Sequence, residues 1–315
     1  MSAISTVDLV GVGLNATDTL ILVPEYPPVG SKLESQSVSV LPGGQVATAV
    51  VACQRWGLGT RYVGKLGDDG AAQLHRQEFA RAGVETHILT AQECASQQAF
   101  ILVDPGGERT VLWRRDDRLR LEPGELRREW IENARALLVD GYDTEAAATA
   151  ARWARAAGIP VIADFDAAYP GIEGLLQSVD FLIVSRDWPQ QILGKTDLRE
   201  SLPALKRRFG CRLTAATLGT DGVLAWDGVQ FHQASAYRVE TLDSTGAGDI
   251  FHAGFIYALL QGWPLGRQLD FACAAAALNC ERVGARGGIR PIQEIERLMI
   301  TGRRYPRAGS SEATG

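Results

Sequence analysis

Residues 242–262 read LDSTGAGDIFHAGFIYALLQG, a run of small residues that passes without a break into an apolar helix. Phe251, Phe255 and Leu259 recur at i+4, with Ile256 and Leu260 beside them, and predict one continuous apolar face. Gly262 followed by Trp263-Pro264 ends it. The turn Gly246-Ala247-Gly248 therefore opens a helix, whose first N–H groups lack intrahelical acceptors and lie at the positive end of its dipole. With almost no side chain in the way, that backbone can close on a phosphate. Asp249 falls in the first helical turn. An acid there favours a helix by itself. Beside a phosphate it is repulsive unless it has a task, and accepting the proton of an attacking hydroxyl is such a task. Two acids, Asp243 and Asp249, flanking a glycine-rich anion nest point to phosphoryl transfer.

Outward from this segment, short β-like runs (Val7–Val12, Arg61–Val63, Ala136–Val139, Val161–Ala163, Phe181–Val184, Leu213–Leu218) alternate with helical ones (Gln45–Trp56, Ala71–Ala82, Glu145–Ala157, Ser201–Phe209). That rhythm predicts an α/β fold, a mostly parallel central sheet with helices on both faces and right-handed crossovers. Residues 17–42 and 96–113 break it with strands and turns only, the second around Pro105-Gly106-Gly107-Glu108, and predict a small β-sheet lid. In such sheets the site lies at the carboxyl ends of the strands, where Asp140, Asp164, Ser185 and Thr217 gather. The chain reads as one domain over 1–305, with 306–315 as a flexible tail.

Composition narrows the class. Of 315 residues, 32 are Lys or Arg and 37 Asp or Glu, and the net charge of −5 argues against a nucleic-acid or acidic-membrane partner. Five scattered cysteines without a CxxC read as reduced thiols, and four histidines show no metal-ligand spacing. No apolar run approaches a membrane span and no leader is read, so a soluble, cytoplasmic protein is expected. Gly11-Val12-Gly13-Leu14-Asn15-Ala16 fits a dinucleotide fingerprint, but the β-rich, proline-closed run that follows denies it the helix it needs. There is no Walker-type GxxxxGK[ST].

DSTGAGD, residues 243–249, resembles the second signature of the PfkB/ribokinase family of carbohydrate kinases, DTxGAGD, with Ser244 for Thr. The likeness runs from about Val7 to Ile292: Asp18 after the first strand, Gly43-Gly44 and the helix behind it, Arg61–Asp69 (RYVGKLGDD), Thr217–Gly222 (TLGTDG) and Gly284–Gly288 (GARGG). The resemblance implies a ribokinase-like fold and an ATP-dependent sugar kinase. In it Asp249 is the base, and the N–H groups of Gly246, Ala247, Gly248 and Asp249 form the anion hole. Asp18, Gly43, Gly44 and Thr48 bind the sugar, while Thr217, Gly219, Gly222, Gly246, Gly248 and Gly284 bind ATP. Mg2+ bridges the phosphates, Asp243 belongs to a monovalent-cation (K+) site, and the lid pairs two copies into a homodimer. Thr48 stands where the family usually has Asn, and Ser185 and Trp188 replace both residues of an NxxE magnesium motif. Gly44-Gln45-Val46-Ala47-Thr48 together with GAGD-x-Phe-His is similar to bacterial sulfofructose kinases, and the VSRD segment to ketohexokinases, which implies a ketose or an acidic sugar. Lys32, Arg114 and Arg115, in or near the lid, are placed to read an acidic group. Two alternatives stay open: a nucleoside kinase of the same fold, for which Tyr26, Phe100 or Trp113 would clamp a base, and a sugar-sensing protein with weak catalysis.

Overall fold

The computed structural model describes residues 5–306; most of the expected tail, 307–315, lies outside the described residues. Among the described residues thirteen strands form two sheets: β1 (Val7–Val12), β2 (Ala16–Leu22), β3 (Ser37–Gly43), β4 (Thr60–Leu66), β5 (Glu85–Thr90), β6 (Gln98–Val103), β7 (Arg109–Arg114), β8 (Ala134–Asp140), β9 (Val161–Phe165), β10 (Phe181–Ser185), β11 (Leu213–Thr217), β12 (Val223–Trp226) and β13 (Phe231–Ala234). The central sheet has nine of them in the order β13-β12-β11-β10-β9-β8-β1-β4-β5. All pairs from β5 across to β11 are parallel, and β12 and β13 close one edge antiparallel.

The parallel strands are apolar because both their faces are buried. Alternation then splits each strand between two cores. Ala136 and Leu138 of β8 join Leu9, Ile162, Ile183 and Ala215 beneath the helices Gln45–Arg55, Ala247–Leu260 and Leu265–Asn279. Leu137 and Val139 join Val10, Val161, Leu182 and Val184 on the opposite face, beneath Thr144–Ala156 and Leu198–Phe209. The alanine-rich run 272–277 is a packing device: a Cβ on Gly254 would meet the Ala272 Cα at 2.8 Å, so the two helices touch backbone to backbone. Gly11 of the false dinucleotide motif serves the same end, facing Val46 and Val50 at 2.6 and 2.5 Å from where a Cβ would lie. The element after that motif is strand β2.

The second sheet, β3-β2-β6-β7, is the expected lid, with β2 and β6 parallel and the other pairs antiparallel. Leu20, Ala99, Ile101 and Val103 bury its inner face, and Val283 from the late GARGG turn packs against them. Asp68 and Asp69 anchor the segment that leads back to the lid. Asp69 caps the helix Gly70–Ala82 at Ala72 N (2.9 Å) and accepts from Ser96 N (3.0 Å) and Ser96 Oγ (2.7 Å). Asp68 accepts from the N–H groups of Glu93 and Cys94. Asp69→Ala removes a cap and strips two further donors of their acceptor, and is expected to cost about 1–3 kcal/mol. Urea denaturation checks it, and an unchanged midpoint would show that the anchor is not structural.

Candidate active site

The strand order reverses between β1 and β8, which opens a crevice at the carboxyl ends of these strands, and the lid stands over it. At the switch point lies a cavity of about 10 Å³, enough for one water, lined by Gly13, Asn15, Lys65, Gln97, Arg115 and Asp143 among others.

Gly246 takes φ 77° at the N-cap of the helix Ala247–Leu260, and no side chain caps that helix. A Cβ there would lie 2.5 Å from the Ala285 carbonyl oxygen, so the turn needs glycine for both its conformation and its neighbour. The N–H of Ala247 turns back to the Ser244 carbonyl at 3.2 Å. Among the described residues, those of Gly246, Gly248 and Asp249 have no protein acceptor. Three N–H groups at the start of this helix are thus left without a protein acceptor, at the turn where the sequence leads one to expect an anion nest. Asp243 fixes the turn from behind. It is fully buried, and its carboxylate accepts from Thr245 N (2.9 Å) and Gly284 N (2.7 Å). Asn279 donates to the carbonyls of Thr245 and Ala285, tying the same two segments.

The lid brings Asp18 to this turn. Its carboxylate lies so close over Gly43 that a Cβ there would be 1.9 Å from Oδ2. Asp18 is buried, and its pKa is pushed up to about 7, by burial first and then by the charge of Asp249. Asp249 also lies above the ordinary carboxylate range because of burial, offset by His252 first and then by the positive fields of Arg109 and Arg286. Gly44 has φ 91°, and a Cβ on it would strike the Asn15 Cα at 2.5 Å. Thr48 is fully buried on the following helix, where its Oγ1 accepts from Arg286 Nε at 3.2 Å. Thus Asp18, Gly43, Gly44, Thr48 and Asp249 converge.

Arg114 does not join them. Asp18 aligns with Ala99 and Ala99 with Trp113, so these share one face of the lid and Arg114, next in line, alternates onto the other, where it is exposed. Arg115 is taken by Asp143 (2.7 Å), and Lys32 is exposed in the loop before β3. Phe100 points to the outer face, and Tyr26 bonds the far end of the lid. Trp113 faces inward, edge-on to Tyr142 at 6.2 Å, with Tyr142 tilted on Tyr169 at 4.8 Å.

Thr217, Gly219 and Gly222 sit at the carboxyl end of β11, and Gly284 lies against Leu41 of the lid. Arg186 braces the β11 turn through Asp221 (2.5 Å) and the Leu218 carbonyl. Trp188, in the place of the family's glutamate, is a core residue stacked on Phe165 with Nε1 bonded to Ala167 O. The sequence places Asp164 at this end of the sheet but singles out none of His252, Arg109 and Arg286 as a site residue. Asp164 is buried at the end of β9 with Oδ2 free of any hydrogen bond; burial and Asp249 push its pKa well up. His252 Nδ1 is 3.3 Å from that oxygen but bonds the Gly248 carbonyl at 2.8 Å. Arg109 and Arg286 supply the positive field. Inward parity on β7 is a signal that could have found Arg109, whereas nothing local distinguishes Arg286.

Comparison with known proteins follows the same lines. A model of the pfkB family of carbohydrate kinases matches residues 8–292. The ribokinase of Haemophilus influenzae is 26% identical over 286 residues, 88% of this chain and 93% of its own. The 5-dehydro-2-deoxygluconokinase of Geobacillus thermodenitrificans is 24% identical over 283 residues, 82% and 83%. Arabidopsis thaliana ribokinase, solved with ribose and ATP, superposes with a TM-score of 0.77 at 22% identity over 94% and 99% of the two chains. An E. coli protein solved with ATP and Mg2+ gives 0.80 at 19% over the same shares. Both are likenesses of fold.

Gly246→Ala is expected to lower stability by about 1–3 kcal/mol and kcat by at least roughly tenfold, because it strains the turn and displaces its N–H groups. Calorimetry and steady-state kinetics check both, and wild-type kcat would show that the turn does not bear on the reaction.

Proposed function

The chain belongs to the pfkB family of carbohydrate kinases, and we propose that it transfers the γ-phosphate of ATP to one hydroxyl of a monosaccharide, with Asp249 as the base. The observation that supports this most is the meeting of an uncapped helix N-terminus with a half-buried acid of its first turn, under a lid that carries a second, buried acid. Asp18 accepts hydrogen bonds from sugar hydroxyls, with Gly43, Gly44 and Thr48 shaping the floor. Asp249 accepts the proton of the attacking hydroxyl as its oxygen bonds to the γ-phosphorus and the bond to ADP breaks. The N–H groups of Gly246, Gly248 and Asp249 stabilise the charge on the moving phosphoryl group. Thr217, Gly219, Gly222 and Gly284 border the nucleotide. The lid excludes water.

Mg2+ fits the residues present. No three metal-ligating side chains cluster among the described residues. Mg2+ is satisfied by one or two carboxylates plus phosphates and water, and the unbonded Oδ2 of Asp164 is such a ligand. When bound it would offset phosphate charge. Asp243 and the unpartnered, buried Oγ1 of Thr245 would hold a monovalent cation such as K+.

A neutral sugar is favoured over an acidic one, because Arg114 faces away and Arg115 is already paired. The Trp113–Tyr142 pair favours a second reading, a nucleoside whose base stacks there. On the outer face of the lid Val38, Val40, Phe100 and Leu112 are 59%, 58%, 43% and 62% exposed, an apolar sheet face suited to a second copy of the chain.

A panel of neutral sugars, acidic sugars and nucleosides, each with a non-hydrolysable ATP analogue, separates these readings by thermal shift, since only a binder raises Tm. Asp249→Asn should abolish turnover, by roughly 10²-fold or more, and leave ATP binding nearly intact. Turnover at the wild-type rate would end the assignment of the base. Because Asp18 and Asp249 must both be ionised and both are raised by burial, kcat/KM should fall as pH drops through about 7. A profile flat down to the ordinary carboxylate range would contradict it.

A further inference from the structure

Arg286 is 6% exposed and makes no ion pair among the described residues. Its Nε donates to Thr48 Oγ1 (3.2 Å), its Nη2 donates to the Gly43 carbonyl (2.9 Å), and its Nη1 is buried without a partner. The guanidinium lies over the Phe79 ring at 5.8 Å. Burial pushes its pKa down to about 10, which leaves it charged at neutral pH. A buried cation without a contacting carboxylate is costly unless its field serves distant charges.

The turn that carries it touches both halves of the site. On the nucleotide side, Gly284 N donates to Asp243 and the Ala285 backbone fills the space beside Gly246. On the sugar side, Val283 packs into the lid core and Gly284 meets Leu41 of β3. Gly43 is where β3 ends and the Gln45–Arg55 helix begins, so Arg286 holds the point at which the lid joins the core.

Resting on the reading above, we propose that Arg286 is the positioning residue that couples the lid to the phosphate-binding turn, setting Asp18 and Asp249 in register and supplying a fixed positive charge to both carboxylates. Its charge acts among several: Glu78 and Arg55 face Arg286 itself, Glu78 being the strongest of the charges around it, and Asp243 faces Asp18. Asp249 faces His252 on its own helix, Asp164 and Asp166 from β9 and the loop after it, and Arg109 and Asp18 from the lid. Only Arg286 among these cations is also bonded to the lid's attachment point.

The test compares Arg286→Gln and Arg286→Lys with the full-length wild type. For Arg286→Gln, kcat/KM is expected to fall by about tenfold to a hundredfold. The acid limb of its pH profile should move up by roughly one unit, since losing a cation makes a carboxylate harder to ionise. In the wild type, a non-hydrolysable ATP analogue alone should slow amide hydrogen exchange over residues 37–43, and this protection should be lost in Arg286→Gln. Arg286→Lys keeps the charge without the forked contact, so its limb should stay near the wild type's while the protection is lost. A limb unmoved in Arg286→Gln, or lid protection unchanged in both variants, overturns the proposal. If Arg286→Gln does not fold, unchanged protection in Arg286→Lys still does so. Turnover retained by Asp249→Asn would instead sink the base assignment and leave the exchange result to stand alone.

Discussion

A helix that begins without a side-chain cap must find acceptors for its first N–H groups, and at Ala247–Leu260 those of Gly246, Gly248 and Asp249 have none among the described residues, which is where the proposed function puts the phosphoryl group. The surrounding structure follows from that constraint. Gly246 adopts a left-handed conformation against Ala285, so the late turn has to lie where it does. Asp243 is buried to bind Thr245 and Gly284 by their N–H groups, and Asn279 bonds the carbonyls of the same two segments. Gly254 lets the helix pack directly on Leu265–Asn279, which holds its N-terminus rigid. An anion hole built this way needs little reorganisation when charge develops, which is the main way such sites accelerate a reaction.

The electrostatics of the crevice balance at close quarters. Asp18, Asp164 and Asp249 are all raised by burial, and the charge of Asp249 raises the other two; the opposing field on Asp249 comes from His252 first, then from Arg109 on the lid and Arg286 below it, and the same two arginines act on Asp18. Of the two acids assigned to the sugar and to proton transfer, Asp18 is thus pushed up to about 7 and Asp249 lies above the ordinary carboxylate range, and a raised carboxylate is the stronger base. Lid position and carboxylate ionisation become linked, because one cation comes from the lid and the other is bonded to its root.

Much of this was legible in the chain. The βα rhythm gave the parallel sheet because strands buried on both faces read as unbroken apolar runs, and the two helix-free stretches gave the lid to within a residue or two of its strands. The GAGD turn was legible because its chemistry is local: glycine, alanine, glycine, acid, then a helix. What escaped was non-local. Arg286 bonds Gly43 and Thr48, more than two hundred positions away, and no nearby pattern marks it as a buried cation. Arg114 was placed in the site by its position in the lid, but strand alternation turns it outward. Trp188, singled out only as an absent magnesium residue, is part of the core beneath β9. The unbonded oxygen of Asp164 depends on where the His252 hydrogen is directed, which only three-dimensional packing decides.

The most direct measurement is a crystal structure with ADP, Mg2+, a planar phosphoryl mimic such as aluminium fluoride, and whichever sugar the thermal screen selects. The mimic should accept hydrogen bonds from the N–H groups of Gly246, Gly248 and Asp249, with one sugar hydroxyl within about 3 Å of the Asp249 carboxylate. A mimic held away from that turn, or an Asp249 turned to a salt bridge at the surface, would contradict the account.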